Sequence, residues 1–125
     1  MPQVKKLDNE AAPSWDIIKE RMLKLPGSGS LTLSVDEDTW LIVLHISKLG
    51  YLVTGSGIGE KDYFTLVERS LGVDPVTAFD GGNLNEYPRH TFVSEPLLLK
   101  ATEFFYHTGQ RNPEYDWVPE EEAVY

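Results

Sequence analysis

Three histidines, a glycine-rich segment and three clusters of carboxylates are the parts of this chain with chemistry to offer. His45, His90 and His107 are spread along the sequence with neither an HxxxH nor a His-Glu-x-x-His pairing, so no zinc-type ligand spacing is present. His45 lies in an apolar run and reads as a hydrogen-bonded structural imidazole, while His90 and His107 read as superficial. Gly55, Gly57 and Gly59 could cradle a phosphate only if a Gly-Lys-Ser/Thr ending and a helix followed. Here Glu60, Lys61 and Asp62 follow instead, and two acids at that point repel phosphate. The Rossmann spacing fails as well, so the segment reads as a hairpin loop. Carboxylates gather in 36-DED-38, 60-EKD-62 and 120-EEE-122, where they could act as acid and base or hold a hard cation. They fall in turns or in the tail, without EF-hand spacing or apolar walls, and read as a solvated acidic face. With no cysteine and no nucleophile elbow around any serine, the chain predicts no catalysis, no metal and no cofactor.

The elements that must position these residues follow from periodicity and punctuation. Residues 1–12 are polar and aperiodic and read as a mobile N-terminal arm; residues 13–125 then form a single α+β domain ending in an acidic tail. A first helix starts at Ser14 behind Pro13, with Trp15, Ile18, Met22 and Leu25 on one face, and the 26-PGSGS-30 cluster ends it. Leu31, Leu33 and Val35 alternate with polar residues as a half-buried strand does, and an acidic turn leads into 40-WLIVLHI-46. That second run is apolar nearly throughout, which predicts a central strand covered on both faces, with Trp40, like Trp15, in the core. Further strands are expected at 51–54, at 63–67, briefly at 76–79 and around 89–93, with 80–88 an exposed loop. Ser94 as N-cap, Pro96 in the first turn and Gly109 after the last turn delimit a second helix, whose apolar side is formed by Leu97, Ala101 and Phe104 with Leu98 and Phe105 beside them. The expected architecture is an antiparallel sheet of about five strands with an N-terminal and a C-terminal helix packed on it.

Charge narrows the partners. The 125 residues carry 11 Lys and Arg against 20 Asp and Glu, a formal net charge of −9, and the pI is near 4.7. Nucleic acid and anionic membranes demand the opposite sign, whereas a basic protein would be steered in by this field. With 41% apolar residues the chain can fill a core of one domain. The absence of cysteine fits a reducing compartment, and neither an export signal nor a membrane span is legible, so the expected location is the cytoplasm.

The segment from Ser94 to Trp117, SEPLLLKATEFFYHTGQRNPEYDW, joins the punctuated helix to a Thr108-Gly109-Gln110-Arg111-Asn112-Pro113 exit and a tryptophan. It resembles the C-terminal signature of the first immunity-protein family of bacterial polymorphic toxin systems, whose members typically end in a helix, a Gly-x-Arg-Pro turn and a Trp. Asn112 stands between Arg111 and Pro113, where the family more often has Arg-Pro directly. The stretch 55-GSGIGEKDYF-64 is similar to that family's central glycine-rich hairpin. The resemblance implies a non-catalytic cytoplasmic protein that binds a cognate toxin domain, often of the deaminase fold and acting on nucleic acid, and occludes its active site. The chain itself lacks the His-x-Glu and Pro-Cys-x-x-Cys elements of a zinc deaminase. Trp117 is expected to pack the tail against the domain.

On this reading the partner-binding candidates lie in the segments 55–63 and 80–87: Glu60, Asp62, Tyr63, Asp80, Asn83, Asn85, Glu86 and Tyr87. Their carboxylates would pair with the toxin's Arg and Lys and their aromatic rings would supply packing. The rival expectation is an acidic adaptor or chaperone-like interaction module unrelated to toxins, which would use the same surface on another basic protein.

Overall fold

Strict alternation in the chain's first half and helical spacing in its last third divide the labour between sheet and helices. The computed structural model describes residues 3–56, 63–80 and 83–119. In chain order these form β1 (Lys6–Leu7), β2 (Glu10–Ala11), α1 (Trp15–Leu23), β3 (Ser30–Ser34), β4 (Trp40–Ile46), β5 (Gly50–Ser56), β6 (Tyr63–Val67), β7 (Pro75–Asp80), β8 (Asn83–Pro88), α2 (Glu95–Thr108) and β9 (Asp116–Pro119), with one-turn 3₁₀ helices at Arg69–Leu71 and Arg89–Thr91. The protein is α+β, with an antiparallel sheet and two helices.

The main sheet has seven strands in the order β2-β1-β3-β4-β5-β6-β9, not about five. Two of the additions come from the stretch expected as a mobile arm. Leu7 pairs with Leu33, and Val4 and Leu7 are buried, so a minimal hairpin extends the β3 edge. A further addition comes from the tail, where Asp116–Pro119 pairs along β6 from Val67 to Phe64. Single apolar residues in polar surroundings carried too little periodicity to announce these strands. The expected loop at 80–88 is instead largely strand: β7 and β8 form a separate two-stranded sheet closed by the Asp80–Asn83 pair. The expected strand around 89–93 is a 3₁₀ turn followed by a single bridge from Val93 to Tyr51.

Cross-strand partners share a face, so the register assigns the core. Leu31, Val43 and Val53 form one row, and Leu33, Leu41 and Gly55 the next. The leucines and valines of these rows belong to one buried cluster with Ile18 and Met22 of α1 and Leu98, Ala101 and Phe105 of α2. Gly55 is glycine for a packing reason: a Cβ there would meet the backbone oxygen of Trp40 and a methyl of Leu41, each at 2.8 Å. In α2 the buried stripe is Leu98, Ala101, Thr102, Phe105 and Tyr106, rotated from the expected one, and Phe104 stays only half buried. The Tyr106 hydroxyl donates to the Pro13 carbonyl at 2.9 Å and the Tyr106 carbonyl accepts the amides of Gln3 and Val4, tying the N-terminal segment to α2. The sheet's second face carries a smaller cluster, Ile46, Ala78, Tyr87 and Phe92, with Leu44 and Leu52 packed against it.

Candidate protein-interaction surface

The second face of the main sheet is covered at one end by the β7–β8 hairpin and, at the other, by no element among the described residues. Under the β7–β8 hairpin lie Leu44, Leu52 and Ile46. At the far end of the same strands the register lines up Ser34 with Trp40 and Ser56 with Tyr63. Trp40 was expected in the core; it is only half buried and joins neither buried cluster, because its position in the alternation places it opposite Leu41. Its ring meets that of Tyr63, centroids 5.3 Å apart and tilted by 51°. Tyr63 is 47% exposed. Ser56, at that row of the intervening strand, is small enough to let the two rings meet. Its hydroxyl accepts the Trp40 amide at 3.3 Å and donates to the Asp38 carbonyl at 2.6 Å.

That second bond fixes the acidic turn against the sheet. Asp36, Glu37 and Asp38 are all exposed, and an Asp36 carboxylate oxygen accepts the Asp38 amide at 2.8 Å. Beside the aromatic pair the face continues through Ile42, Thr32, Thr54 and Val118, all half buried, while Thr65 is buried between its neighbours, with its hydroxyl 3.4 Å from that of Thr54.

The described residues among the eight expected to bind a partner are not all brought together. Glu60 and Asp62 lie outside the described residues. Tyr63 is at the open end. Asp80 and Asn83 close the β7–β8 hairpin, and Asn85 and Glu86 are exposed on β8. The hairpin packs over Ile46, and Trp40 to Ile46 along an extended strand is about 20 Å. The exposed-loop placement expected of Tyr87 is corrected: only 4% exposed, it lies edge-on to Phe92 at 5.3 Å in the smaller core. Alternation in β8 explains the difference, since Leu84 and Glu86 take the outer face and Tyr87 the inner one. Leu84, 68% exposed, is the hydrophobic residue that the loop reading missed. It borders a shallow cleft of about 490 Å³ with Ala78, Ile46, Leu49 and Lys48.

The histidines have structural surroundings. His45 stacks on Tyr51 with centroids 4.9 Å apart and places Nδ1 2.9 Å from the Leu25 carbonyl oxygen. His90, expected at the surface, is 7% exposed, and its pKa is lowered, first by burial and then by Arg69, with Asp116 opposing. His107 is exposed, 3.9 Å from Glu103 one helical turn away. Among the described residues no group of three or more His, Asp or Glu is placed to hold a metal ion, and no helix is long and apolar enough to cross a membrane.

The tail that carries the family-like residues is held by side chains. Arg111 lies over the Phe64 ring, 3.9 Å from its centroid, and the Trp117 indole donates to the Asn112 carbonyl at 3.0 Å while packing against the main core. No protein-family model, curated protein or solved structure matches the chain.

Proposed function

We propose that this protein is an immunity protein: a cytoplasmic binder that neutralises a cognate bacterial toxin domain, a nucleic-acid-targeting deaminase-fold enzyme, by occluding its active site. The observation that carries this reading is the segment from Ser94 to Trp117. Its helix stops at a left-handed Gly109, Arg111 and Trp117 both anchor the chain to the sheet, and these are the residues on which the resemblance to immunity proteins rests. A net charge of −9 supports it, since a toxin that grips nucleic acid presents a basic cleft. The protein acts as a stoichiometric plug and carries out no reaction itself.

The test is copurification with the product of the neighbouring reading frame, followed by an assay of that product's deaminase activity with and without this chain. Inhibition at a one-to-one ratio is expected. A neighbour that neither binds nor is inhibited removes the reading. The acidic charge equally favours an adaptor or chaperone-like module for another basic protein, and in that case the gene would stand apart from any secreted toxin.

A further inference from the structure

We propose that the open end of the sheet's second face, built on Trp40, Ile42, Thr54, Tyr63 and Val118 and bordered by the 36–38 turn, is the surface on which a basic, arginine-bearing protein docks. The inference deepens the immunity reading and rests on it for the identity of the partner; the surface itself rests on geometry.

Among the described residues the fold leaves this part of the face without a covering element. Alternation in β4 sends Leu41 and Val43 into the helix-covered core and Trp40 and Ile42 to the other face. The hairpin covers that face only as far as Leu44. Trp40, Ile42, Tyr63 and Val118 pack against neither buried cluster among the described residues. A tryptophan and a tyrosine in mutual contact on a rigid sheet supply a large contact area at little entropic cost, which is what an interface anchor requires.

Charge points to the kind of partner. The Asp38 carbonyl and the Trp40 amide share the Ser56 hydroxyl, so three exposed acids, Asp36, Glu37 and Asp38, stand within four residues of the aromatic anchor. An apolar anchor beside acids fits a guanidinium-rich surface, because arginine pairs with carboxylates through its fork and stacks on aromatic faces. A second copy of this chain is disfavoured, since it would bring the same acids against themselves.

Two experiments separate the surface from the function. In the first, ¹⁵N-labelled full-length protein is titrated with an oligo-arginine peptide and followed by NMR. The Trp40 indole and the amides of 36–40 and 63–65 should shift more than the indoles of Trp15 and Trp117. Shifts confined to the β7–β8 hairpin or the chain end would overturn the surface. In the second, Tyr63→Ala and Ile42→Arg, each checked for an unchanged melting transition, are measured against the toxin domain encoded next door. Each should weaken binding at least about tenfold, and the pair Glu37→Lys and Asp38→Lys should act mainly on the association rate and its salt dependence. Unchanged affinity in folded Tyr63→Ala and Ile42→Arg overturns the surface and leaves the immunity reading standing. If the wild-type protein ignores that toxin while oligo-arginine maps to the Trp40 face, the immunity reading fails and the surface stands.

Discussion

The indole N–H of Trp117 donates to the backbone carbonyl of Asn112 at 3.0 Å, so the residue that separates Arg111 from Pro113 is also the acceptor that holds the tryptophan. Asn112 performs a second task through its side chain, whose oxygen accepts the Glu114 amide at 2.9 Å and shapes the turn into β9. Asn112 thereby turns the chain into β9, which pairs in register with β6.

This geometry predicts an order of mutational cost. Trp117→Ala removes a half-buried ring from the core and should cost about 2 to 3 kcal/mol, discounted from the 3 to 5 of a fully buried aromatic. Trp117→Phe keeps most of the packing and loses one hydrogen bond, about 1 kcal/mol. Asn112→Ala preserves the carbonyl and loses only the side-chain turn bond, so it should cost less than about 1 kcal/mol. Chemical denaturation of the three variants checks the order, and an Asn112→Ala more damaging than Trp117→Ala would contradict it.

Gly109 closes α2 at φ 72°, where its amide donates to the Phe105 carbonyl at 2.7 Å. A side chain here meets two obstacles at once. The left-handed conformation costs a non-glycine residue about 1 kcal/mol, and a Cβ would come within 3.1 Å of Gln3 and Val35. Gly109→Ala should therefore lower stability by about 1 to 2 kcal/mol, seen as a thermal midpoint several degrees lower.

Much of the scaffold was legible because its residues state their environment locally. Leu31 and Leu33 alternate with Thr32 and Ser34 and are buried as alternation requires, and the apolar run from Trp40 to Ile46 buries Leu41 and Val43 in the core. Pro96 and Gly109 mark the ends of α2 through backbone constraints that do not depend on the rest of the fold. What was illegible depends on partners distant in sequence. Leu7 becomes a strand residue only because Leu33 lies beside it, and β9 forms only because Val67 to Phe64 offer an open edge. Trp40 heads an apolar run, and its half-buried place depends on how far the hairpin's cover reaches along that face, which among the described residues is as far as Leu44. Tyr63 was legible as a candidate, but its companion Trp40 was not, since the two meet across a strand.

Ser94 stands at the N-cap position of α2, but its side chain makes no cap hydrogen bond. Its hydroxyl and its amide instead both donate to one carboxylate oxygen of Glu68, each at 2.8 Å. A carboxylate at this place also meets the positive end of the helix dipole. Glu68→Ala should cost about 2 kcal/mol, since it removes two charge-assisted bonds at a partly buried site, while Ser94→Ala loses only the hydroxyl bond and should cost about 1 kcal/mol. In a double-mutant cycle the two changes should be non-additive, and additivity would show that the hydroxyl–carboxylate bond carries no stability.

His90 makes the fold sensitive to acid. Burial, reinforced by the nearby Arg69, lowers its pKa from the ordinary 6.5, with Asp116 pulling the other way. The unfolded chain therefore binds a proton at a pH where the folded chain still refuses it, and stability rises with pH across that window. The contribution of the neutral ring is fully present above about 6.5 and is lost as pH falls below that value through the lowered folded pKa. His90→Gln cannot titrate, so the difference in unfolding free energy between wild type and variant should shift against the wild type on going from pH 7.5 to pH 5. Because Arg69 also pairs with Asp116 at 3.5 Å, an Arg69→Gln variant separates the causes. Removing the guanidinium should narrow the window and leave it open, since burial is the larger cause. Urea titrations of the three proteins at several pH values read this directly, and a wild-type slope equal to that of His90→Gln would mean that the imidazole titrates alike in folded and unfolded chains.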